Sequence, residues 1–444
     1  MRWYLGVGLL LAVALIFQLG LLAYAMYVML GLLLVSRLLA RSWTEKVTAG
    51  RRMEFQQGEI GEKVPVQVTI RNNASLPVPW VVAEDVLPKD AIHRKPARLH
   101  VDGKRQRVNI LRGGATLKLE YSLVPQFRGF YQVGPVILEG GDLFGLYRRF
   151  RLAAAPHFLL VYPRTVPLIG YDLASRRPIG EVRLTHRLYE DPTRIAGVRL
   201  YQNGDPLNRV HWKATARTGQ LHCKIYEPST ITGATIVLDF HRGSYHPRGE
   251  PFRSELAVTA AASLALTVYQ MGQQVGLLTN GRDAADRLRE EGWNPYGDAA
   301  DELVFDNRLA LQQVVGATAQ QDRLNPVVVE TSHGPEQLQR LRETLARLEL
   351  NDGLTFASLI AEGESHLPHD ATVVALLPAA PPETALALSN LKAQGYAVTV
   401  ILITMEVDPG ADGQFARLLA EGLDVRHVYD EAGIASMCYQ QMLR

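Results

Sequence analysis

Asp239 closes the apolar run Thr235–Leu238, and Asn280 stands just past a second such run, Val275–Thr279. Ligands of open α/β sheets lie beyond the carboxyl ends of the strands, so both residues hold positions where chemistry is usually placed. With His241 two residues on and a basic helix upstream, Asp239 could line a pocket for proton transfer. Four histidines, His211, His222, His241 and His246, also fall close together. Neutral imidazoles suit zinc, but their spacing matches no zinc motif, and they read as scattered surface residues. The chain has no Gly-x-Ser-x-Gly elbow and no Gly-x-x-x-x-Gly-Lys-Ser/Thr phosphate loop. A serine hydrolase of that type is therefore unsupported, and any ATPase must be a separate protein. Cys223 and Cys438 are the only cysteines, too few for a disulfide framework or a cysteine metal site.

The most distinctive residues run from Arg194 to Glu227. Asp205 fits a helix N-cap, Pro206 the first helical position and Gly219 a C-terminal cap, so Pro206–Thr218 is expected to contain a short helix. Arg209, Lys213 and Arg217 recur every four residues and line one face. That face could hold phosphate or an acidic partner. It could equally form an internal lock, with Arg199 or Arg217 paired to Asp205 or Glu227 at a domain junction. Trp212 lies on another face and is free to pack. Leu221, Cys223 and Ile225 then alternate as a strand.

Two kinds of element surround this segment. After Gly233, apolar strands alternate with helices. The strands are Thr235–Leu238, Val275–Thr279, Pro326–Val329, Thr372–Leu377, Val398–Ile403 and Val425–Val428. The helices are Phe252–Met271, Pro335–Leu348, Pro382–Gln394, Gln414–Glu421 and Glu431–Met442. That alternation implies a mostly parallel sheet covered on both faces. Before it the pattern is antiparallel. Val64–Ile70 and Thr116–Leu123 alternate with period two, Val133–Leu138 is a further strand, and Asp102-Gly103 is a hairpin signal. Strands spaced in this way suggest a β-sandwich. A basic stretch from His93 to Arg112 reads as a charged, aggregation-resistant hairpin edge, or as a contact for anionic lipid.

The first residues are unlike either region. Trp3–Ser36 carries no formal charge. One helix of that length would reach about 51 Å, against a hydrocarbon core of about 30 Å. Two spans of about 17 residues, turning near Gln18-Leu19-Gly20, would fit. Arg2 precedes the first, and Arg37, Arg41, Lys46, Arg51 and Arg52 follow the second. A hairpin puts both basic ends on the cytoplasmic side. Ala23-Tyr24-Ala25 resembles a signal-peptide cleavage site, but the apolar run continues past it and would still leave an anchor. The expected location is the inner (cytoplasmic) membrane, with the large soluble part in the cytoplasm.

The stretch Gly197-Val-Arg199-x-Tyr201-x-x-Gly204-Asp205-x-x-x-Arg209-x-x-Trp212-Lys213-x-x-Ala-Arg217 resembles the bacterial family called domain of unknown function fifty-eight. Arg128-Gly129-x-Tyr131-x-x-Gly134-Pro135 and Asp142-x-Phe144-Gly145-Leu146 resemble its β-region signature, and the resemblance covers most of the chain. It implies a von Willebrand factor A-like α/β domain in a protein that works beside a MoxR-type AAA+ ATPase. Such domains hold Mg²⁺ with Asp-x-Ser-x-Ser, whose oxygens suit a hard cation. Here those positions are Asp239-Phe240-His241-Arg242-Gly243. Both serines are missing and a cation is added, so Asp239 is a degenerate position and no metal or other cofactor is expected.

The sequence thus specifies a multi-domain chain. Residues 1–42 form two transmembrane helices, 43–165 a β-sandwich-like domain, 166–232 a connecting segment with the motif, and 233–444 the α/β domain. Lys and Arg number 47 and Asp and Glu 45, a net charge of +2, so no nucleic-acid partner is expected. The expected function is that of a membrane-anchored, non-enzymatic adaptor. It assembles or matures a cell-envelope or protein complex with the ATPase, and its contact residues are Arg199, Tyr201, Gly204, Asp205, Arg209, Trp212, Lys213, Arg217 and Glu227. The alternative is an enzyme at the cytoplasmic membrane face with a pocket at the strand ends.

Overall fold

A computed structural model describes residues 2–142, 148–168, 189–202, 210–229, 233–291, 304–305, 324–368, 371–404 and 411–436. The chain divides into two compact units. The first comprises Met1–Arg164, Asp283–Asp322 and Glu343–Leu348, and the second comprises Thr165–Arg282, Arg323–Arg342 and Glu349–Arg444.

The first unit opens with helices Arg2–Ile16 and Gly20–Lys46. The turn falls at the expected Gln18-Leu19-Gly20. Gln18 adopts a left-handed φ of 55°, and Leu19 N–H closes back on Ala14 O at 2.9 Å. Val7, Ala14 and Ala23 are buried while most other apolar side chains of the pair face outward. Gly20–Leu38 is long and apolar enough to cross a membrane. The first helix, 15 residues, extends only about 22 Å. The second helix runs without a linker into strand Val47–Met53.

Two antiparallel sheets follow. One orders Val47–Met53, Val64–Asn72, Thr116–Pro125 and Leu99–Gly103. The other orders Val304–Phe305, Arg148–Ala154, Val136–Gly141, Val78–Asp85 and Gln106–Leu111. Their inward residues, among them Val66, Val68, Ile70, Val81, Ala83, Leu119, Leu123 and Leu138, form one core. A three-stranded sheet of Gln57–Gly58, His157–Val161 and Gly129–Val133 flanks them.

Two local expectations are corrected. Asp102-Gly103 does not turn a hairpin, because the strands on either side enter different sheets. Gly103 is needed for close approach: a Cβ there would lie 2.9 Å from Tyr121 Cα, and its φ is 111°. The expected strand Val133–Leu138 is two strands, broken at Gly134-Pro135.

In the second unit a six-stranded sheet orders Val327–Ser332, Gln274–Thr279, Gly233–Leu238, Ala371–Leu377, Ala397–Ile403 and Asp424–Val428. All neighbours are parallel except the edge strand Val327–Ser332, which runs antiparallel. The central strands Gly233–Leu238 and Ala371–Leu377 are buried along their whole length, as a sheet covered on both faces requires. Helix Phe252–Gln270 packs on four of these strands through an alanine-rich face. The expected terminal helix is described as Glu431–Ser436.

Candidate functional site

Strands Tyr189–Leu200 and His222–Ser229 form a twisted antiparallel ribbon, with Arg199 opposite Cys223. Tyr201 N–H extends it to Leu221 O at 2.8 Å, and Val210 bridges back to Cys223, which is buried. Within the expected range the helix spans Trp212–Thr218, after the bridging Val210. Its N-cap is His211, whose Nδ1 accepts from Ala214 N–H at 3.0 Å. Gly219 supplies the expected left-handed C-terminal cap, φ 71°. Asp205, expected as the cap, lies outside the described residues, as do Gly204 and Arg209. His222 N–H bonds Thr215 Oγ1 at 3.1 Å and pins the helix to the ribbon.

The helix buries none of its own side chains. Trp212, expected to be able to pack, is 68% exposed. Lys213 and Arg217 are exposed beside it, and neither forms an ion pair among the described residues. Arg199 is half-buried and donates to Leu200 O at 3.2 Å, and Tyr201 is half-buried. Glu227 holds a strand position on the ribbon.

At the sheet's carboxyl edge Asp239 is buried. Its Oδ1 accepts from Asn280 Nδ2 at 2.9 Å and from His241 N–H at 3.1 Å. Burial raises its pKa above the usual carboxylate value, against the lowering effect of these donors. Asn280 uses its other functions on Phe240 N–H at 2.6 Å and Leu354 O at 3.0 Å. Tyr245 Oη donates to Asp239 O at 2.8 Å. His241 and His246 accept backbone N–H bonds at Nδ1 from Gly243 and Arg248, as His211 does from Ala214. The three imidazoles serve as local caps, and the clustering seen in sequence has that local cause. Arg253, buried at the start of its helix, donates to Ile403 O at 2.8 Å and to Pro378 O and ties strand ends together.

In the first unit the described part of the β-region signature is structural, while Phe144, Gly145 and Leu146 lie outside the described residues. Arg128 is buried and donates to Leu345 O at 2.8 Å and Leu348 O at 2.7 Å. Tyr131 Oη bonds Phe127 O at 2.8 Å. Gly134 faces the Arg51 guanidinium, which is paired with Asp85; Tyr121 Oη donates to the same carboxylate at 2.7 Å. Sequence reasoning counted Arg51 among the basic residues flanking the second span. It is instead buried inside the sandwich, and nothing in the sequence marks Asp85 as its partner.

Residues 197–291 match the family described as Protein of unknown function DUF58. The resemblance read from the 197–217 motif is borne out. The DUF58 match runs through the second half of the ribbon's first strand, the exposed helix, Asp239 and helix Phe252–Gln270. The uncharacterized protein YeaD of Bacillus subtilis is 27% identical over 263 residues, 59% of this chain and 62% of that protein. The chain thus spans less than two thirds of that relative's length. A von Willebrand factor type A structure from Catenulispora acidiphila is 14% identical and aligns with 49% of this chain and 42% of its own, with a TM-score of 0.29. The CARDB domain of a Pyrococcus furiosus protein, solved with di-metal ions, is 12% identical and aligns with 26% of this chain and 91% of its own, with a TM-score of 0.17. The two-sheet and six-strand architectures described above rest on this chain's own strand pairing.

The residues at Asp239 do not fit the magnesium site of metal-binding von Willebrand A domains. The carboxylate already accepts from an amide and a backbone N–H. The residues two and four positions on are His241, whose Nδ1 is a cap, and Gly243, which has no side chain. Mg²⁺ demands several oxygen ligands in near-octahedral geometry, and this pocket offers its inner face as hydrogen-bond donors.

Proposed function

We propose that this protein is a membrane-anchored, non-enzymatic adaptor that presents the exposed helix Trp212–Thr218 to a MoxR-type AAA+ ATPase in assembly or maturation of an envelope or protein complex. Both N-terminal helices enter the inner membrane as a hairpin, and the large soluble part lies in the cytoplasm. The observation that carries this reading is Trp212. An indole exposed to 68% on a helix with no fully buried side chain lies outside any core, yet it sits in the motif that carries the family resemblance. Exposed Trp and Arg are the residue types enriched at interface hot spots. Lys213 and Arg217 add positive charge with no internal partner among the described residues, which suits an acidic surface. The enzyme alternative loses its centre, because the Asp239 carboxylate is buried and engaged.

The test is photo-crosslinking from position 212 in membranes of cells expressing the ATPase. The expected product is an adduct with the ATPase that disappears when Lys213→Glu and Arg217→Glu are introduced. Absence of that adduct, with the protein present and folded in the membrane, overturns the proposal. Protease treatment of inside-out vesicles tests the orientation; a protected soluble part contradicts it.

A further inference from the structure

Strand Gln106–Leu111 is the outer edge of the five-stranded sheet, and it exposes Val108 and Ile110, 64% and 65%. Val108 pairs with Val82, and the core-facing residues of that neighbouring strand are Val81 and Ala83. Val108 and Ile110 therefore stand on the sheet's outer face. By the same period of two, Arg112 follows them on that face, whereas Arg107, opposite core-facing Ala83, leaves the edge strand on its other face. Both arginines are exposed and form no ion pair among the described residues. The buried Asn72 amide donates to Leu76 O, Leu111 O and Arg112 O at 3.0, 3.1 and 3.2 Å. It thereby brings Leu76, 54% exposed, to the same end of the strand.

The position of this patch relative to the apolar helix is fixed by two hydrogen bonds. Ser36, buried and two residues before the end of the span Gly20–Leu38, donates to Asp142 Oδ2. Trp80 Nε1 donates to Asp142 O at 2.9 Å. Gly140 pairs with Val81 and Val81 with Asn109, so Ile110 lies two strands from Asp142, about 10 Å. The helix packs against strands Val136–Gly141 and Arg148–Ala154, and Val108 and Ile110 on the edge strand stay exposed.

We propose that the edge formed by Leu76, Val108 and Ile110, with Arg107 and Arg112, rests on the bilayer surface and contacts anionic phospholipid headgroups. The inference depends on the anchoring of helix Gly20–Leu38 in a membrane. Once that helix is inserted, Ser36 sits at the headgroup level, and Asp142 and Trp80 bring the edge strand to it. Aliphatic side chains can then enter the interface while two unpaired guanidiniums meet lipid phosphate. A half-buried Trp80 bonded at its N–H suits the same zone. An adaptor held at two places on the bilayer cannot swivel freely about its anchor.

The experiment uses the full chain, with Cys223→Ala and Cys438→Ala, reconstituted in bilayers containing phosphatidylglycerol. Single cysteines at Val28, Val108, Ile110 and Lys118 carry an environment-sensitive fluorophore, and the lipid carries a nitroxide just below the headgroup. The expected result is quenching at Val28, Val108 and Ile110 and none at Lys118, which is exposed on the other sheet. Quenching at 108 and 110 is expected to fall in purely zwitterionic bilayers or with Arg107→Glu and Arg112→Glu. Quenching at Val28 but not at 108 and 110 overturns the surface contact while leaving the anchor intact. No quenching at Val28 overturns the anchor, and this inference with it. Equal quenching in zwitterionic bilayers overturns the assignment to anionic lipid. Shielding of 108 and 110 in detergent as well, without nitroxide quenching, assigns the strand to a protein partner or a second copy and overturns the proposal.

Discussion

Arg51 and Asp85 form an ion pair with both side chains wholly shielded from solvent. The pair is well served: Tyr121 Oη donates to the carboxylate at 2.7 Å, and Arg51 reaches Ala155 O at 2.8 Å. Removing one partner of such a pair leaves a buried charge uncompensated, at a cost of about 3–5 kcal/mol. Asp85→Asn is expected to lower the unfolding free energy by about that amount. Arg51→Met with Asp85→Leu is expected to cost less than either single change, because no charge is left behind. Denaturant unfolding of the detergent-solubilised protein measures all three. A double variant as unstable as the sum of the singles would contradict the argument.

Gly134 belongs to the same arrangement. A Cβ there would lie 2.2 Å from Arg51 Nη2, and the backbone has φ 99°. Gly134→Ala is therefore expected to displace the guanidinium and add backbone strain of about 1–3 kcal/mol. Combining Gly134→Ala with Arg51→Met relieves the clash but not the strain. The two changes should be less than additive, and a double-mutant cycle reads the difference. Strict additivity would mean that Gly134 is required by its φ alone.

His157 gives the cluster a pH dependence. Its Nδ1 lies 3.2 Å from Arg51 Nη1, and its pKa is lowered by burial first and by the Arg51 charge second; the Ala155 backbone and Asp85 oppose the shift. The folded state resists the proton that the unfolded state accepts. The contribution to stability is therefore complete above the ordinary histidine value of about 6.5 and is lost as the pH falls below it. Unfolding midpoints measured from pH 7.5 down to 5 are expected to decline in the parent and to decline less in His157→Gln. Parallel profiles would remove His157 from the account.

Period and punctuation made the second unit legible. Val275–Thr279 and Thr372–Leu377 are continuous apolar runs long enough for one strand, and Pro382 and Gly395 bracket a helix. The turn at Gln18 was legible because the surrounding run offers almost no other turn residue. What could not be read depends on contacts distant in sequence. Asp102-Gly103 looks like a hairpin locally, and only the pairing of Leu99–Gly103 with Thr116–Pro125 sends the chain to the other sheet. Arg51 looks like a flanking cation until Asp85, thirty-four residues on, claims it. Trp212 follows the same rule in reverse, since an apolar side chain is assigned to a core by default, and the ribbon beneath it is held by backbone bonds and by Thr215 and His222 instead.

Asp239 separates a structural strand end from a metal site. Burial raises its pKa, so its contribution to stability is greatest below the unfolded value of about 3.8 and is lost as the pH rises through the folded value. Ionising this carboxylate in the folded state places a charge where burial disfavours it. Asp239→Asn keeps an Oδ1 that can accept from Asn280 Nδ2 and His241 N–H, and it removes the ionisation. The variant is expected to gain stability relative to the parent as the pH rises from 4 to 8. Neither protein's thermal midpoint should move with millimolar Mg²⁺. A resident metal site predicts the reverse, because a ligand that binds only the folded state stabilises it by RT ln(1 + [L]/Kd), an increment that the Asn variant would lose. Thermal unfolding of both proteins across that pH range, with and without Mg²⁺, therefore decides between a buried hydrogen-bond acceptor and a cation ligand.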